Sequence, residues 1–198
     1  PPRPRAVPFD FPSLALHPLA VRAFNELYYR RVSARGRTRL RRFNTFLYPL
    51  DAVHDWNRLY GKRGFYQFQC VLPDASAPTG LRALLSEIAS ARAASPLAVL
   101  KTLGGVGRGH LSFPMRGYTL ALDFPRRHGT AELLHRLEDI ALEHGGRIYL
   151  AKDSVLSRGG LRAMYPDLPR FEAVLARVDP EGRFTSDMAR RLGLKPSG

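Results

Sequence analysis

The chain has 198 residues, 44% hydrophobic and 24% charged, and its 31 basic against 17 acidic residues give a formal net charge of +14. That composition supplies one good core or two small ones and excludes a disordered tail. No apolar run reaches the roughly 20 residues of a membrane span, and the single cysteine, Cys70, excludes an internal disulfide framework and fits a reducing compartment.

The basic excess suits nucleic acid, an anionic membrane surface or a phosphorylated substrate. It suits a solvated, arginine-rich surface equally, because clusters such as Arg30-Arg31 and Arg41-Arg42 are short and interrupted. The chain opens on Pro1-Pro2-Arg3-Pro4-Arg5 without an initiator methionine, so we expect a portion of a longer protein. Residues 1–16, rich in proline, read as a linker or extended arm. Pro18 suits a first helical position, and Leu19, Phe24, Leu27 and Tyr28 predict a helix to about Arg30. A turn at residues 33–36 and a strand over 38–48 follow. Asp51 then caps a short helix carrying Val53, Trp56, Leu59 and Tyr60 and stopped by Gly61.

From Gly64 the pattern sharpens. Residues 65–72 predict a strand, and 79–93 an amphipathic helix with Leu81, Leu84, Leu85 and Ile88 on one stripe. A second strand at 97–103, a glycine-rich loop and a third strand at 118–123 follow. A second helix at 130–144 turns Leu133, Leu134, Leu137, Ile140 and Ala141 inward, and 147–151 form a fourth strand. The order β-α-β-β-α-β predicts an α+β fold, a ferredoxin-like antiparallel sheet with both helices on one face. Helix and strand additions precede it, and a helical segment closes the chain.

Two helices cover one face only, so the other must meet water, a ligand or another domain. Tyr66, Phe68, Cys70 and Leu72 make the better core row of the first strand, which turns Gln67 and Gln69 outward. On the third strand Thr119, Ala121 and Asp123 oppose Tyr118, Leu120 and Leu122. Lys101 shares a row with Leu97, Val99 and Leu103, which leaves its side open. This helix-free face is either a floor for a polar ligand or a solvated sheet surface. Gly145-Gly146 stops the second helix, since glycine readily takes the left-handed conformation that a helix end requires. Alternation from Ile148 and Leu150 would bring Lys152 to the end of an apolar row, where an ammonium needs a partner. Alternatively the strand ends by Ala151 and Lys152 points into water.

Other motifs fail their templates. Gly104-Gly105-Val106-Gly107-Arg108-Gly109 has neither a P-loop ending nor a following helix, and reads as a mobile loop. The six histidines lack metal-ligand spacing, so no metal is expected. Ser112 and Ser154 sit in no nucleophile elbow, and no RNP-like run supports nucleic acid as a partner.

The stretches Tyr149-Leu150-Ala151-Lys152-Asp153, Met164-Tyr165-Pro166, Val178-Asp179-Pro180 and Phe184-Thr185-Ser186-Asp187-Met188-Ala189-Arg190-Arg191-Leu192 carry a resemblance. So do Tyr48-Pro49-Leu50-Asp51, Trp56-Asn57-Arg58, Gln67-Phe68-Gln69, Leu111-Ser112-Phe113-Pro114 and Asp123-Phe124-Pro125. Together they resemble the carboxyl-terminal portion of the decaprenylphosphoryl-β-D-ribose oxidase-like FAD-dependent oxidoreductases, flavoproteins of the vanillyl-alcohol-oxidase type. The resemblance spans nearly the whole chain, from about Phe9 to Leu194.

The resemblance implies a substrate-binding cap at residues 17–146 and a segment at 147–198 that returns to an N-terminal FAD-binding domain outside this chain. It implies FAD as cofactor, held mainly by that domain, and a sugar, polyol or polyprenylphosphoryl-sugar substrate oxidised at a hydroxyl in cell-wall biosynthesis. It implies a cytoplasmic location with association to a membrane surface. Residue by residue, Lys152, Asp123 and Gln69 become catalytic, and Tyr149 and Lys152 contact FAD. Gln67, Gln69, Lys101, Thr119, Ala121 and Asp123 line the substrate pocket. Three positions depart from the family pattern: Ala121 stands in place of a cysteine, Thr119 of an asparagine and Leu47 of a tyrosine. The reading from a different class is a stand-alone ferredoxin-like module that binds an anionic ligand or nucleic acid without catalysis.

Overall fold

The computed structural model describes residues 5–12, 16–31, 36, 38, 40, 42–47, 53–93 and 97–194. The expected turn at 33–35 and the Asp51 cap lie outside them. The N-terminal arm contributes β1 (Arg5–Ala6), which pairs in parallel with β2 (Val53–His54). Between them run α1 (Pro18–Arg30), capped by His17 Nδ1 accepting from the Leu19 amide at 3.3 Å, and α2 (Phe43–Leu47). Helix α1 begins and ends where the sequence predicts, but it turns Leu19, Phe24, Leu27, Tyr28 and Tyr29 toward solvent. Residues 43–47 are helical where a strand is expected. The predicted helix from Val53 is in fact β2 followed by a 3-10 turn, Trp56–Tyr60, which Gly61 ends at φ +68°.

The core unit follows in the predicted order: β3 (Phe65–Pro73), α3 (Ala77–Ser90), β4 (Ala98–Leu103), β5 (Gly117–Pro125), α4 (Thr130–Glu143) and β6 (Arg147–Ile148). The sheet runs β4-β5-β3-β6, all antiparallel, the ferredoxin-like order. Phe68, Cys70, Leu72, Leu120, Leu122 and Phe124 meet Leu84, Ile88, Leu133, Leu134, Leu137 and Ala141 of the helices in one hydrophobic core. Burial of these side chains from water is the main stabilising term. Leu85 departs from expectation: it is half exposed, and the buried stripe of α3 is Ala77, Gly80, Leu84 and Ile88. These residues follow the three- and four-residue spacing of one helix face.

The remainder, α5 (Arg158–Met164), α6 (Leu168–Val178) and α7 (Asp187–Leu192), adds Leu161, Met164, Leu168 and Leu192 to the same core. No described helix is long and apolar enough to cross a membrane.

The fourth strand is shorter than the alternation predicts. It ends at Ile148, and a 3-10 turn over Leu150–Lys152 follows Tyr149. At its start the Gly146 amide donates to the Ala141 carbonyl at 2.7 Å and the Gly145 amide to Leu142 at 2.9 Å, closing α4 with Gly145 at φ +67°. A Cβ on Gly146 would stand 2.7 Å from two backbone oxygens, so only glycine lets β6 approach β3 here.

Candidate active site

The helix-free face carries the residues that the sequence singles out. Gln67 lies opposite Asp123, and Gln69 opposite Ala121, across the β3–β5 ladder. Lys101 pairs with Thr119 across β4–β5, which fixes its side: it stands on the helix-free face, exposed.

Two hydrogen-bonded pairs organise the face. Gln67 Nε2 donates to Asp123 Oδ1 at 3.1 Å. Gln69 Nε2 donates to Thr119 Oγ1 at 3.0 Å, and Thr119 in turn donates to the Cys70 carbonyl at 2.8 Å. The Gln69 carboxamide oxygen is engaged by no described residue, so it can accept from a ligand hydroxyl.

Asp123 is buried although it faces away from the helices. Tyr60 explains this. The 3-10 turn folds over the end of β3, Tyr60 stacks on Phe65 with ring centroids 4.3 Å apart, and its hydroxyl donates to Asp123 Oδ2 at 3.3 Å. Burial lifts the Asp123 carboxyl above the ordinary carboxylate range. Hydrogen bonds from Gln67 and Tyr60 and the positive charge of Lys152 offset this only in part. The Tyr60 phenol is pushed up in turn, by burial first and then by the neighbouring carboxylate.

Lys152 comes to this corner by a route that alternation does not describe. It sits half-buried on the 3-10 turn beyond β6 and lines a small crevice at the sheet edge with Gln67, Phe68 and the α4 residues Leu134 and Glu138, near enough for its charge to act on Asp123. Asp153 sets the turn: Oδ1 accepts from the Val155 and Leu156 amides at 2.9 and 2.7 Å, and Oδ2 accepts from Arg191 at 2.6 Å. Tyr149 holds the other flank. Its amide donates to the Gln69 carbonyl at 2.8 Å and its ring stands 4.6 Å from Phe113.

The structure therefore joins Gln67 to Asp123 and Gln69 to Thr119, with Lys152 beside the first pair. Lys101 and Ala121 lie on the same face without a hydrogen bond to these side chains. Gln67, not Gln69, is the amide bonded to Asp123. Sequence reasoning missed Tyr60, which read as one more apolar residue of a short helix. Its position just before the stop at Gly61, five residues ahead of β3, is the one local sign. Chemically, the group can bind a hydroxyl, take its proton on a carboxylate whose pKa is raised, and present a cation beside it.

Residues 119–192 match the family model for D-arabinono-1,4-lactone oxidase. Over 188 residues, 95% of the chain, the sequence is 37% identical to the decaprenylphosphoryl-beta-D-ribose oxidase of Mycolicibacterium smegmatis, covering 40% of that protein. Over 192 residues, 96% of the chain, it is 36% identical to an uncharacterized protein of Streptomyces coelicolor, from the mprA 5′ region, covering 51% of it. The chain thus spans about half, or less, of the length of these curated relatives. By sequence it resembles the carboxyl-terminal portion of FAD-linked oxidases of the decaprenylphosphoryl-β-D-ribose oxidase type.

Proposed function

We propose that this chain is the substrate-binding part of an FAD-dependent oxidoreductase acting on a CH–OH group of a sugar or polyol, with a polyprenylphosphoryl pentose as the favoured substrate. In this reading residues 17–146 form the cap and 147–198 return to a flavin-holding domain elsewhere in the protein. The observation that carries it is the corner of the helix-free face where Asp123, Gln67, Tyr60 and Lys152 converge.

The residues present fit the reacting ring of a flavin and not its diphosphate tail. Lys152 supplies a cation and Tyr149 an aromatic phenol on one flank of the face, whereas the glycine loop at 104–110 leads into no helix. Lys152 and Tyr149 would hold the ring. When bound, FAD supplies acceptance of a hydride from the carbinol carbon.

Asp123 accepts the hydroxyl proton through one carboxylate oxygen, and Gln67 and Tyr60 fix the carboxylate's orientation. The Gln69 carboxamide oxygen and Thr119 orient the sugar hydroxyls. Lys152 stabilises negative charge as it develops beside it, and does so at no reorganisation cost because the 3-10 turn already holds it. Lys101 serves as a point charge for a substrate phosphate. A lipid-linked substrate would bring this cytoplasmic enzyme to a membrane surface, where the apolar residues exposed on α1 find a place.

The test is flavin reduction in the complete enzyme on addition of a sugar or polyol substrate. Lys152→Ala is expected to slow it by about 10²- to 10³-fold, the effect of removing one preorganised charge-stabilising group. An unchanged reduction rate would overturn the role given to Lys152.

A further inference from the structure

A second cleft lies between the N-terminal arm and the end of the sheet where β3 begins and β5 finishes. It has a volume of about 610 Å³. Its lining carries Lys62, Arg63, Arg126, Arg127, His17 and His128, and among the described residues that line it there is no carboxylate. The walls are fixed to one another. The Arg126 amide donates to the Gly64 carbonyl at 3.0 Å, which ties the turn after Gly61 to the end of β5. Arg127 Nη2 donates to the Leu16 carbonyl at 3.0 Å, which ties the arm to the same place, and the Arg126 guanidinium lies 5.3 Å from the Tyr66 ring centroid. A neighbouring recess shares Leu16, Pro125, Arg127 and His128 and carries Arg92, Glu132 and Arg136, the last paired with Glu87 at 2.6 Å.

We propose that this cleft is a phosphate-binding site that adjoins the redox corner across Tyr60. Four cations gathered around one cavity, with no carboxylate among the described residues that line it, raise the local positive potential, which favours an anion there. Guanidinium forks match the oxygens of a phosphate in pairs, and lysine adds a point charge. Phe11, Tyr60 and Pro125 supply an apolar floor beside the cations, which fits an esterified phosphate as well as a free one. Tyr60 is shared, its ring lining the cleft and its hydroxyl reaching Asp123, but none of Gln67, Gln69, Asp123 or Lys152 lines the cleft. The proposal therefore does not depend on the oxidoreductase reading, and it is tested without flavin.

Isothermal titration of the full chain with inorganic phosphate at constant ionic strength measures a free-phosphate site. Sedimentation with phosphatidylcholine vesicles, with and without phosphatidylglycerol, measures a lipid-headgroup site. Saturable binding is expected in one or both arms, at least tenfold weaker in the double variant Lys62→Glu/Arg63→Glu. It should be retained within twofold in Arg177→Glu, which makes a charge reversal on the exposed surface of α6. Phosphate binding alone identifies a soluble ligand, and phosphatidylglycerol-dependent sedimentation alone a lipid headgroup. Circular dichroism checks the fold of each variant. If the charge reversals unfold the chain, Lys62→Gln/Arg63→Gln replaces them with the same expected direction. No saturable binding in either arm, or equal weakening by Arg177→Glu, would overturn the proposal.

Discussion

Asp123 carries two opposing influences on one side chain. Desolvation favours its neutral form, and the donors Gln67 and Tyr60 with the Lys152 charge favour the carboxylate. Because burial wins, the carboxyl titrates above its ordinary range, closer to the pH at which a general base works best. The sign of the linkage follows. A carboxyl with a raised pKa in the folded state contributes stability below its unfolded value, and that contribution is lost as pH rises through the raised one. An acidic limb in the pH profile of kcat/KM should report this group. Tyr60→Phe deletes a donor to the carboxylate, so the limb should move to higher pH. A steady-state pH profile of the variant in the complete enzyme checks this, and a limb that stays put or moves to lower pH would contradict the assignment. Cys70 makes the contrast: fully buried in the core, its thiol is pushed up to about 12 and takes no part in the chemistry. Ala121 offers no thiol on the helix-free face.

At the scale of elements, β3 and β5 were legible because apolar and polar residues alternate cleanly and the two rows fall on opposite faces. The amides, the hydroxyl and the carboxylate of the site could be placed from that alone. The segment after Ile148 was not. Leu150 continues the apolar alternation, yet the chain turns into a 3-10 helix because Asp153 binds two amides ahead of it and an arginine 38 residues away. Local pattern holds no record of such a partner. The same reason hides Tyr60, whose hydroxyl meets a residue 63 positions later in the chain. Residues 43–47 misread as strand because a short apolar run fits either period.

The Asp153–Arg191 pair therefore links α7 to the turn that carries Lys152. The Asp153 side chain is 2% exposed and that of Arg191 33%, so removing the arginine leaves a buried carboxylate with its two backbone donors only. Arg191→Ala should lower stability by about 1–3 kcal/mol. It should also lower flavin reduction by loosening Lys152, and urea denaturation beside single-turnover kinetics measures both. Full stability with full activity would show that the pair does not set the turn.

The whole molecule presents three surfaces of different character. One face of the sheet is sealed by α3 and α4. The other is open and polar, with its reactive corner under the 3-10 turn that carries Tyr60. The arm side is basic and, along α1, apolar. The net charge of +14 is thus not spread evenly, since Lys62, Arg63, Arg126 and Arg127 gather around one cleft. Such an arrangement suits a part of a protein that meets a redox partner domain on one side and a phosphate on another. In the proposed reaction Asp123 removes the hydroxyl proton, and Asp123→Asn tests this most directly. The substitution keeps the size of the side chain, and the Tyr60 hydroxyl can rotate to accept from the new amide, so the fold should hold at neutral pH. Rapid mixing of the complete enzyme with a sugar or polyol substrate in the absence of oxygen should show flavin bleaching slowed by about 10²- to 10⁴-fold in the variant, with its melting temperature at or above that of the parent. Bleaching at the parental rate in a folded Asp123→Asn enzyme would contradict the account.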